Sequence, residues 1–493
     1  MNLDYEPHHK CGIFGVYNYN LINDTINSCI NGLKLLQHRG RESAGIAYYK
    51  ANDTYNCFNM YNMNNMNNIF NRRIITYKKP GTVNHVFANY FEENNVNACI
   101  GHVRYSTTKI KGNSSLDAES DLLPMTAHTI FGDFSIAHNG NIPNIDKWKC
   151  KFNLKTNNDT EILVQYVLEN IVSFGWEKTL RNLLYEIPGV YCLLVLTPEG
   201  IYFFKDQYGY HPLCVGYNKE DDNDIYYIAS ESCSFDKKYY LGEVMPGKIN
   251  FIGKKSENKL YLGDIKKHRK ISFCLFEYIY FMNNKSIGPI QGEEIEKFRY
   301  KCGQYLASTE ENLFEKSDFI AVDVPKTSTQ AAIAFAKRLG IQYENLLCKT
   351  KNCGRSFILP TNEERIKFIQ NNVYIKDSAK LHNKKIFLLD DSIVRGNTMK
   401  QIIKILKDYG VIEIHLRIIS PPIVGSCYFG IDIPSTNELI AHKKTVEEVC
   451  IELGADTLKY LTVEDMNNIV DMSHFCTACF GGEYNKEVLE LNW

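Results

Sequence analysis

The run Ile386-Phe-Leu-Leu-Asp-Asp-Ser-Ile-Val-Arg-Gly-Asn-Thr398 sets three unlike local chemistries side by side without a spacer. Ile386 to Leu389 reads as a short buried parallel strand, Asp390 and Asp391 mark its end, and Met399 to Tyr409 reads as a helix. That helix carries Ile402, Ile403, Leu406 and Tyr409 on one face, with Gly410 as its stop. Strand, polar turn and helix in this order belong to an α/β sheet. There, ligands bind beyond the carboxyl ends of the strands, and a helix N-terminus offers N–H groups and a positive dipole end to phosphate. Ser392 to Asn397 is therefore expected to cradle a phosphate. The turn lacks the second glycine and the lysine of a Walker loop, which argues against nucleotide hydrolysis. Two adjacent carboxylates suit ribose hydroxyls or a hydrated Mg2+ ion.

The chain of 493 residues is long enough for two or three domains. A formal net charge of -1 gives no electrostatic case for nucleic acid or an anionic membrane, so small-molecule partners are expected. No apolar run approaches the roughly 20 residues of a membrane helix. Met1 to Lys10, with Asp4, Glu6 and two histidines, matches neither a signal nor a transit peptide, so a cytoplasmic location is expected. Among 16 cysteines, Cys192 and Cys450 sit in apolar strings and read as core residues. The CxxC pair Cys476 and Cys479 could be redox-active, metal-binding or neither.

Cys11-Gly-Ile-Phe-Gly-Val opens the first strand after ten unpatterned residues. Inside a longer chain Cys11 is a buried strand residue. With residues 1–10 removed it gains an α-amine, of pKa about 7.7–8.0, that can act as base to its own thiol. Polar or Gly-containing strings then stand between apolar strands: Leu35 to Ile46, Gly101-His-Val-Arg-Tyr-Ser-Thr107, Ala137-His-Asn-Gly-Asn141 and Asn158-Asp-Thr-Glu161. Asp159 opens a helix, so an N-cap role competes with ligand binding there. Asn-rich residues 52–68 read as a solvated insertion. Ile252 to Lys270 reads as the approach to a new domain, Cys274 to Phe281 as a buried strand, and Phe319 to Val324 and Ile412 to Ile418 as strands. Ala331 to Leu339 reads as a helix stopped by Gly340. Leu347 to Ile358 is a Gly-containing basic loop, which alone reads as a solvated surface loop and whose glycine and cations would also suit a flexible lid.

Residues 11 to 250, with Lys205 to Leu213, Ala229-Ser-Glu-Ser232 and Pro246-Gly247, resemble the glutamine amidotransferase domain of the N-terminal-nucleophile class. Ile386 to Thr398 resembles the signature of phosphoribosyltransferases. With the lid, Ser420 to Pro434 and Cys476-Thr-Ala-Cys479-Phe, the whole chain resembles the iron–sulfur branch of the amidophosphoribosyltransferase family. The resemblance implies a four-layer αββα glutaminase domain followed by a type I phosphoribosyltransferase domain with a parallel sheet. The expected divisions are a propeptide over 1–10, a glutaminase over 11–255, a transferase over 256–465 and a tail over 466–493.

It further implies that Cys11 attacks the glutamine amide, with Asn139 and Gly140 as the oxyanion hole. Arg39, Arg104 and Asp159 would bind glutamine. Phosphoribosyl pyrophosphate (PRPP) would meet Lys349, Arg355, Asp390, Asp391, Ser392, Ile393, Val394, Arg395, Gly396, Asn397 and Thr398. Thr327, Asp390 and Asp391 would hold Mg2+. Cys274, Cys427, Cys476 and Cys479 would hold a structural [4Fe-4S] cluster. Ammonia would pass inside the protein to C1 of PRPP, giving 5-phosphoribosylamine. Purine nucleotides are implied as feedback inhibitors and a homo-oligomer, dimer or tetramer, as the assembly.

The chain departs from the pattern at Lys326, where the family typically has an acid, at Thr350 and Asn352 in the lid, and at Met282 to Lys285. These put PRPP affinity in question more than reaction type. Two other readings stand beside the enzyme: a PRPP-binding regulator without catalysis, and another amidotransferase of the N-terminal-nucleophile class.

Overall fold

The computed structural model describes residues 11–20, 24–50, 73–90, 95–104, 120–143, 145–156, 158–219, 224–253, 257–263, 271–310, 318–349 and 373–484. They form two compact units, one within His8–Phe273 plus Tyr428–Ile431, the other within Cys274–Cys427 plus Asp432–Tyr484.

The first unit holds two antiparallel sheets. One runs in the order Tyr240–Glu243, Cys214–Asn218, Ile225–Ala229, Gly12–Asn18, Val96–Arg104, Ser43–Lys50, Ile75–Pro80. The other runs Asn250–Ile252, Gly200–Lys205, Val190–Thr197, Gly132–Asn141, Met125–Thr129. Successive strand residues face opposite sides. Phe14 and Val16 thus join a core with Ile26, Ile30 and Leu33 of helix Thr25–Leu35, while Ile13 and Tyr17 join a second core with Cys192, Leu194 and Phe203 of the other sheet. Leu193 and Val195 point the other way, onto Trp176, Leu180 and Leu183 of helix Thr160–Glu186. Three cores between four layers give an αββα stack. Because both faces of each sheet are covered, strands such as Val190–Thr197 are buried at every residue and read as continuous apolar runs.

Lys259 exchanges main-chain hydrogen bonds of 2.9 and 3.0 Å with Phe251, and Val244 bridges to Leu262. These pairings tie the lysine-rich segment to the first unit, which runs to Phe273.

In the second unit five parallel strands run Gln342–Glu344, Phe319–Asp323, Lys385–Asp390, Glu413–Ile418, Thr457–Tyr460. Ile386 and Leu388 pack with Met399, Ile402, Ile403 and Leu406 on one side. Phe387 meets Phe335 of helix Thr329–Leu339 on the other, ring centroids 5.1 Å apart. That helix ends at Gly340 in the left-handed region, φ 68°, as its sequence signalled.

Cys274 to Phe281 is not one strand. Phe273–Cys274 is extended and Glu277–Phe281 is a helical turn. Arg299, 2 % exposed, satisfies the turn's end by donating to the carbonyls of Tyr278, Ile279 and Met282 at 2.9–3.1 Å. An apolar, aromatic string carries no period that would have revealed this tertiary capping.

Candidate active site

The first unit has a small, partly open cavity lined by Cys11, Arg104, Leu123, His138, Gly140, Asn158, Asp159 and Thr160. Cys11 stands at the head of strand Gly12–Asn18, and its backbone N–H donates to Asn139 Oδ1 at 3.3 Å. The other end of that amide, Asn139 Nδ2, is buried with no hydrogen-bond partner. A buried donor left unmet costs on the order of 1–3 kcal/mol unless a ligand completes it. Gly140 is required by close approach, since a Cβ there would overlap the carbonyl oxygen of Val190 on the next strand.

Arg104, at the end of strand Val96–Arg104, donates through Nη1 to Asp121 O at 2.8 Å and has its buried Nε without a partner. Asp159 sits at the helix entrance but makes no capping hydrogen bond. Its Oδ2 accepts from Ile142 N at 2.9 Å, and Asn158 Oδ1 accepts from Thr160 N at 3.0 Å instead. The helix cap is thus met by the neighbour, and the competing N-cap reading of Asp159 loses its basis.

Arg39 differs from the expectation of substrate contact. Its Nε donates to the Cys11 carbonyl at 3.0 Å while Nη1 pairs with Glu231 at 2.5 Å. Arg39 therefore fixes the main chain of Cys11. Two residues that sequence reasoning passed over also belong here. His138 Nδ1 lies 3.0 Å from Thr160 Oγ1 and 3.5 Å from Asp159 Oδ1, and Glu231 holds Arg39. The available signal for His138 was its i, i+2 relation to Gly140 on one strand face.

In the second unit the Asp-Asp turn follows strand Lys385–Asp390 directly, and the helix begins at Asn397, two residues earlier than the apolar pattern suggested. Asp390 Oδ1 accepts from Asp391 N at 2.8 Å, and Ser392 Oγ donates to Asp391 Oδ1 at 2.6 Å. The main chains of both acids are pinned by Ile419 N and Ser420 N at 3.1 and 3.0 Å. Gly396 has φ 78°, and a Cβ there would overlap the Ile440 side chain, so glycine is needed on both counts. No side chain caps this helix, which leaves its first N–H groups facing the turn. Ile393 is buried, Val394 O accepts from Ile440 N at 3.0 Å, and Arg395 pairs with Glu438 at 2.7 Å.

The adjacent parallel strand Phe319–Asp323 ends level with these acids, with Asp323 opposite Leu389. In its following turn Lys326 is exposed and Thr327 half-buried, and the Pro325–Lys326 peptide is cis. Only the main chain of Lys349 is described, in strand Leu347–Lys349, and Arg355, Thr350 and Asn352 lie outside the described residues, as do residues 1–10 and the Asn-rich 52–68.

A family model for a glutamine amidotransferase domain matches residues 111–237. Human amidophosphoribosyltransferase is 32 % identical over 545 aligned residues, covering 98 % of this chain and 98 % of the relative. The chain belongs to the amidophosphoribosyltransferase family. The Methanocaldococcus jannaschii amidophosphoribosyltransferase is likewise 32 % identical, covering 97 % of this chain and 98 % of its own. Among solved structures, the glutamine PRPP amidotransferase of B. subtilis complexed with ADP and GMP is similar with a TM-score of 0.77 at 30 % identity, covering 96 % of this chain and 97 % of that one. Membership of this amidophosphoribosyltransferase family makes the chain a pentosyltransferase, with an N-terminal-nucleophile glutaminase unit and a phosphoribosyltransferase unit.

The family frame bears on the cysteines of the second unit. Cys274 and Cys476 lie in the two strands of one small sheet, and the Cys479 carbonyl accepts from Val424 N and Gly425 N at 2.9 and 3.1 Å, beside Cys427. Burial pushes the Cys476 thiol up to about 12. Burial likewise raises Cys479, with the charges of Cys427, Cys274 and Cys476 adding to it. Buried thiols within electrostatic reach of one another disfavour thiolates.

Proposed function

We propose that this chain makes 5-phosphoribosylamine from glutamine and PRPP, the first step of purine synthesis. The observation that carries the reading is the cavity lined by Cys11, Arg104 and Asp159, with Asn139 against Cys11 through Oδ1 and its amide nitrogen unpartnered.

The geometry suits the following sequence. After loss of residues 1–10 the Cys11 α-amine takes the thiol proton, and the sulfur attacks the glutamine carboxamide carbon. Negative charge on the former carbonyl oxygen is met by Asn139 Nδ2 and the Gly140 N–H. Arg104 pairs with the substrate α-carboxylate and Asp159 with its α-ammonium. Collapse breaks the C–N bond, the α-ammonium returns its proton to the leaving nitrogen, and ammonia departs from a Cys11 thioester that water hydrolyses to glutamate. Unprotonated ammonia then attacks C1 of PRPP and displaces pyrophosphate.

For PRPP, Asp390 and Asp391 bind the ribose hydroxyls, the turn from Ser392 to Thr398 takes the 5′-phosphate on its N–H groups, and Lys349 and Arg355 take pyrophosphate. The oxygen-rich set of Asp390, Asp391 and Thr327 fits Mg2+, whose charge would neutralise the leaving pyrophosphate. Cys274, Cys427, Cys476 and Cys479 fit a [4Fe-4S] cluster, which would bind as a structural cross-link in the second unit. Its core charge would balance the four thiolates. Regulation by purine nucleotides is supported by the ADP and GMP bound to the B. subtilis relative. A cytoplasmic homo-oligomer completes the proposal; no helix among the described residues is long and apolar enough to cross a membrane.

The test is anaerobic purification followed by assay with glutamine, PRPP and Mg2+. A brown protein with about four iron atoms per chain, a mass beginning at Cys11 and glutamine-dependent pyrophosphate release are expected. An active protein that retains Met1 would refute the processing step. Absence of pyrophosphate release from the Cys11-terminated protein would leave the regulator reading.

A further inference from the structure

Outside the Cys11 cavity, the first unit brings together His38, Glu231 and Cys233, whose candidate ligand atoms all lie within 4.8 Å of one another. It is the one such group of three among the described residues. His38 follows helix Thr25–Leu35, while Glu231 and Cys233 follow strand Ile225–Ala229. The carboxylate of Glu231 is fully buried. Its Oε1 lies 2.8 Å from His38 Nε2 and 2.5 Å from Arg39 Nη1, and its Oε2 lies 3.9 Å from Cys233 Sγ. We propose that His38 Nε2, Glu231 Oε2 and Cys233 Sγ bind a thiophilic divalent cation of the Zn2+ class.

The hydrogen-bond pattern supports this. His38 is held through both ring nitrogens, with Nδ1 3.2 Å from the Leu35 carbonyl oxygen and Nε2 2.8 Å from Glu231 Oε1. With the ring proton on Nδ1, against that carbonyl, the Nε2 lone pair faces the Glu231 carboxylate and is open to a cation.

The Glu231 carboxylate, and the Cys233 thiolate left when the thiol proton is released to solvent, together balance the two charges of the cation beside buried Arg39. Glu231 uses Oε2 for the metal and keeps Oε1 on Arg39, so the grip of Arg39 on the Cys11 carbonyl persists.

One nitrogen, one thiolate and one carboxylate select Zn2+ over Mg2+ or Ca2+, which prefer all-oxygen shells. Three protein ligands leave a fourth, tetrahedral position for water. It would open on the side of His38, whose side chain is 23 % exposed while that of Glu231 is not.

The test loads the cluster-containing protein with one equivalent of Zn2+ and records X-ray absorption at the zinc edge, which is blind to iron. One sulfur at about 2.3 Å with nitrogen and oxygen at about 2.0–2.1 Å is expected. A four-sulfur shell would place zinc on the tail cysteines, and an all-oxygen shell would mean adventitious surface binding; either overturns the proposal. In parallel, Co2+ titrations of the wild type, Cys233→Ser and His38→Gln are compared, with thermal melts to confirm folding. The wild type should bind one more equivalent than either variant, with a thiolate-to-cobalt band missing from both. Equal stoichiometry and identical spectra in folded variants would contradict the site.

Discussion

The Cys11 cavity and the Asp390–Thr398 turn solve recognition in opposite ways. The cavity is assembled from residues 11, 104, 140 and 159, with Asn139 against Cys11, which only the register of two sheets brings together, and it works through buried side chains. The turn is one contiguous string, and apart from its two acids it works through main-chain N–H groups set by the Gly396 conformation. The first site should therefore fail at a single side chain, whereas the second should fail at its acids and tolerate change elsewhere. The same contrast extends to electrostatics. Burial pushes Glu243 of the first unit up against the pull of Lys205, its partner at 2.6 Å. Burial also pushes on Glu310 of the second unit, but Arg417 and Lys459 outweigh it and hold its carboxyl below the ordinary value of 4.5.

The largest effect should come from neutralising the acids of the turn. Asp390→Asn with Asp391→Asn should lower pyrophosphate release at least about 10³-fold whether glutamine or ammonium supplies the nitrogen, several kcal/mol of lost charge stabilisation. A loss confined to glutamine would break the assignment of this turn to PRPP. Asn139→Ala should cost about 10²–10³ in kcat with glutamine, and nothing with ammonium. An unchanged kcat would remove Asn139 from the oxyanion hole.

Glu310→Gln should destabilise by about 3 kcal/mol, because it leaves Arg417 buried with a neutral partner. A depressed acid contributes stability that is present above its unfolded value, near 4.5, and is lost as pH falls through the lower folded value. The gap in melting temperature between wild type and Glu310→Gln should thus be full at pH 7 and close as pH drops below about 4.5. A gap that stays constant with pH would show that packing, not charge, sets the cost. The smallest effect is expected for Glu438→Gln, whose exposed pairing with Arg395 should be worth about 1 kcal/mol or less in a denaturant titration.

Legibility followed the same division. The phosphate turn could be read directly, because strand, acids, glycine and helix are contiguous and each has a local physical reason. The structure moved only its helix start, to Asn397. At the cavity, the sequence resemblance supplied Cys11, Arg104, Asn139, Gly140 and Asp159, since no local pattern announces a site spread over residues 11–159. Less legible was the structural role of Arg39, which depends on Glu231 beside it, 192 positions away in the chain. The Cys274–Phe281 string failed for a related reason. Its helical turn depends on Arg299, and tertiary capping of that kind leaves no period in the turn's own residues.

The most direct test of one chain joining two chemistries is Cys11→Ala, assayed for pyrophosphate release with PRPP and Mg2+ and either glutamine or ammonium as the nitrogen source. Glutamine-supported release should fall by at least about 10³-fold while ammonium-supported release stays within about twofold of the wild type. Retention of glutamine-supported release, or equal loss with both nitrogen sources in a folded variant, would contradict the account.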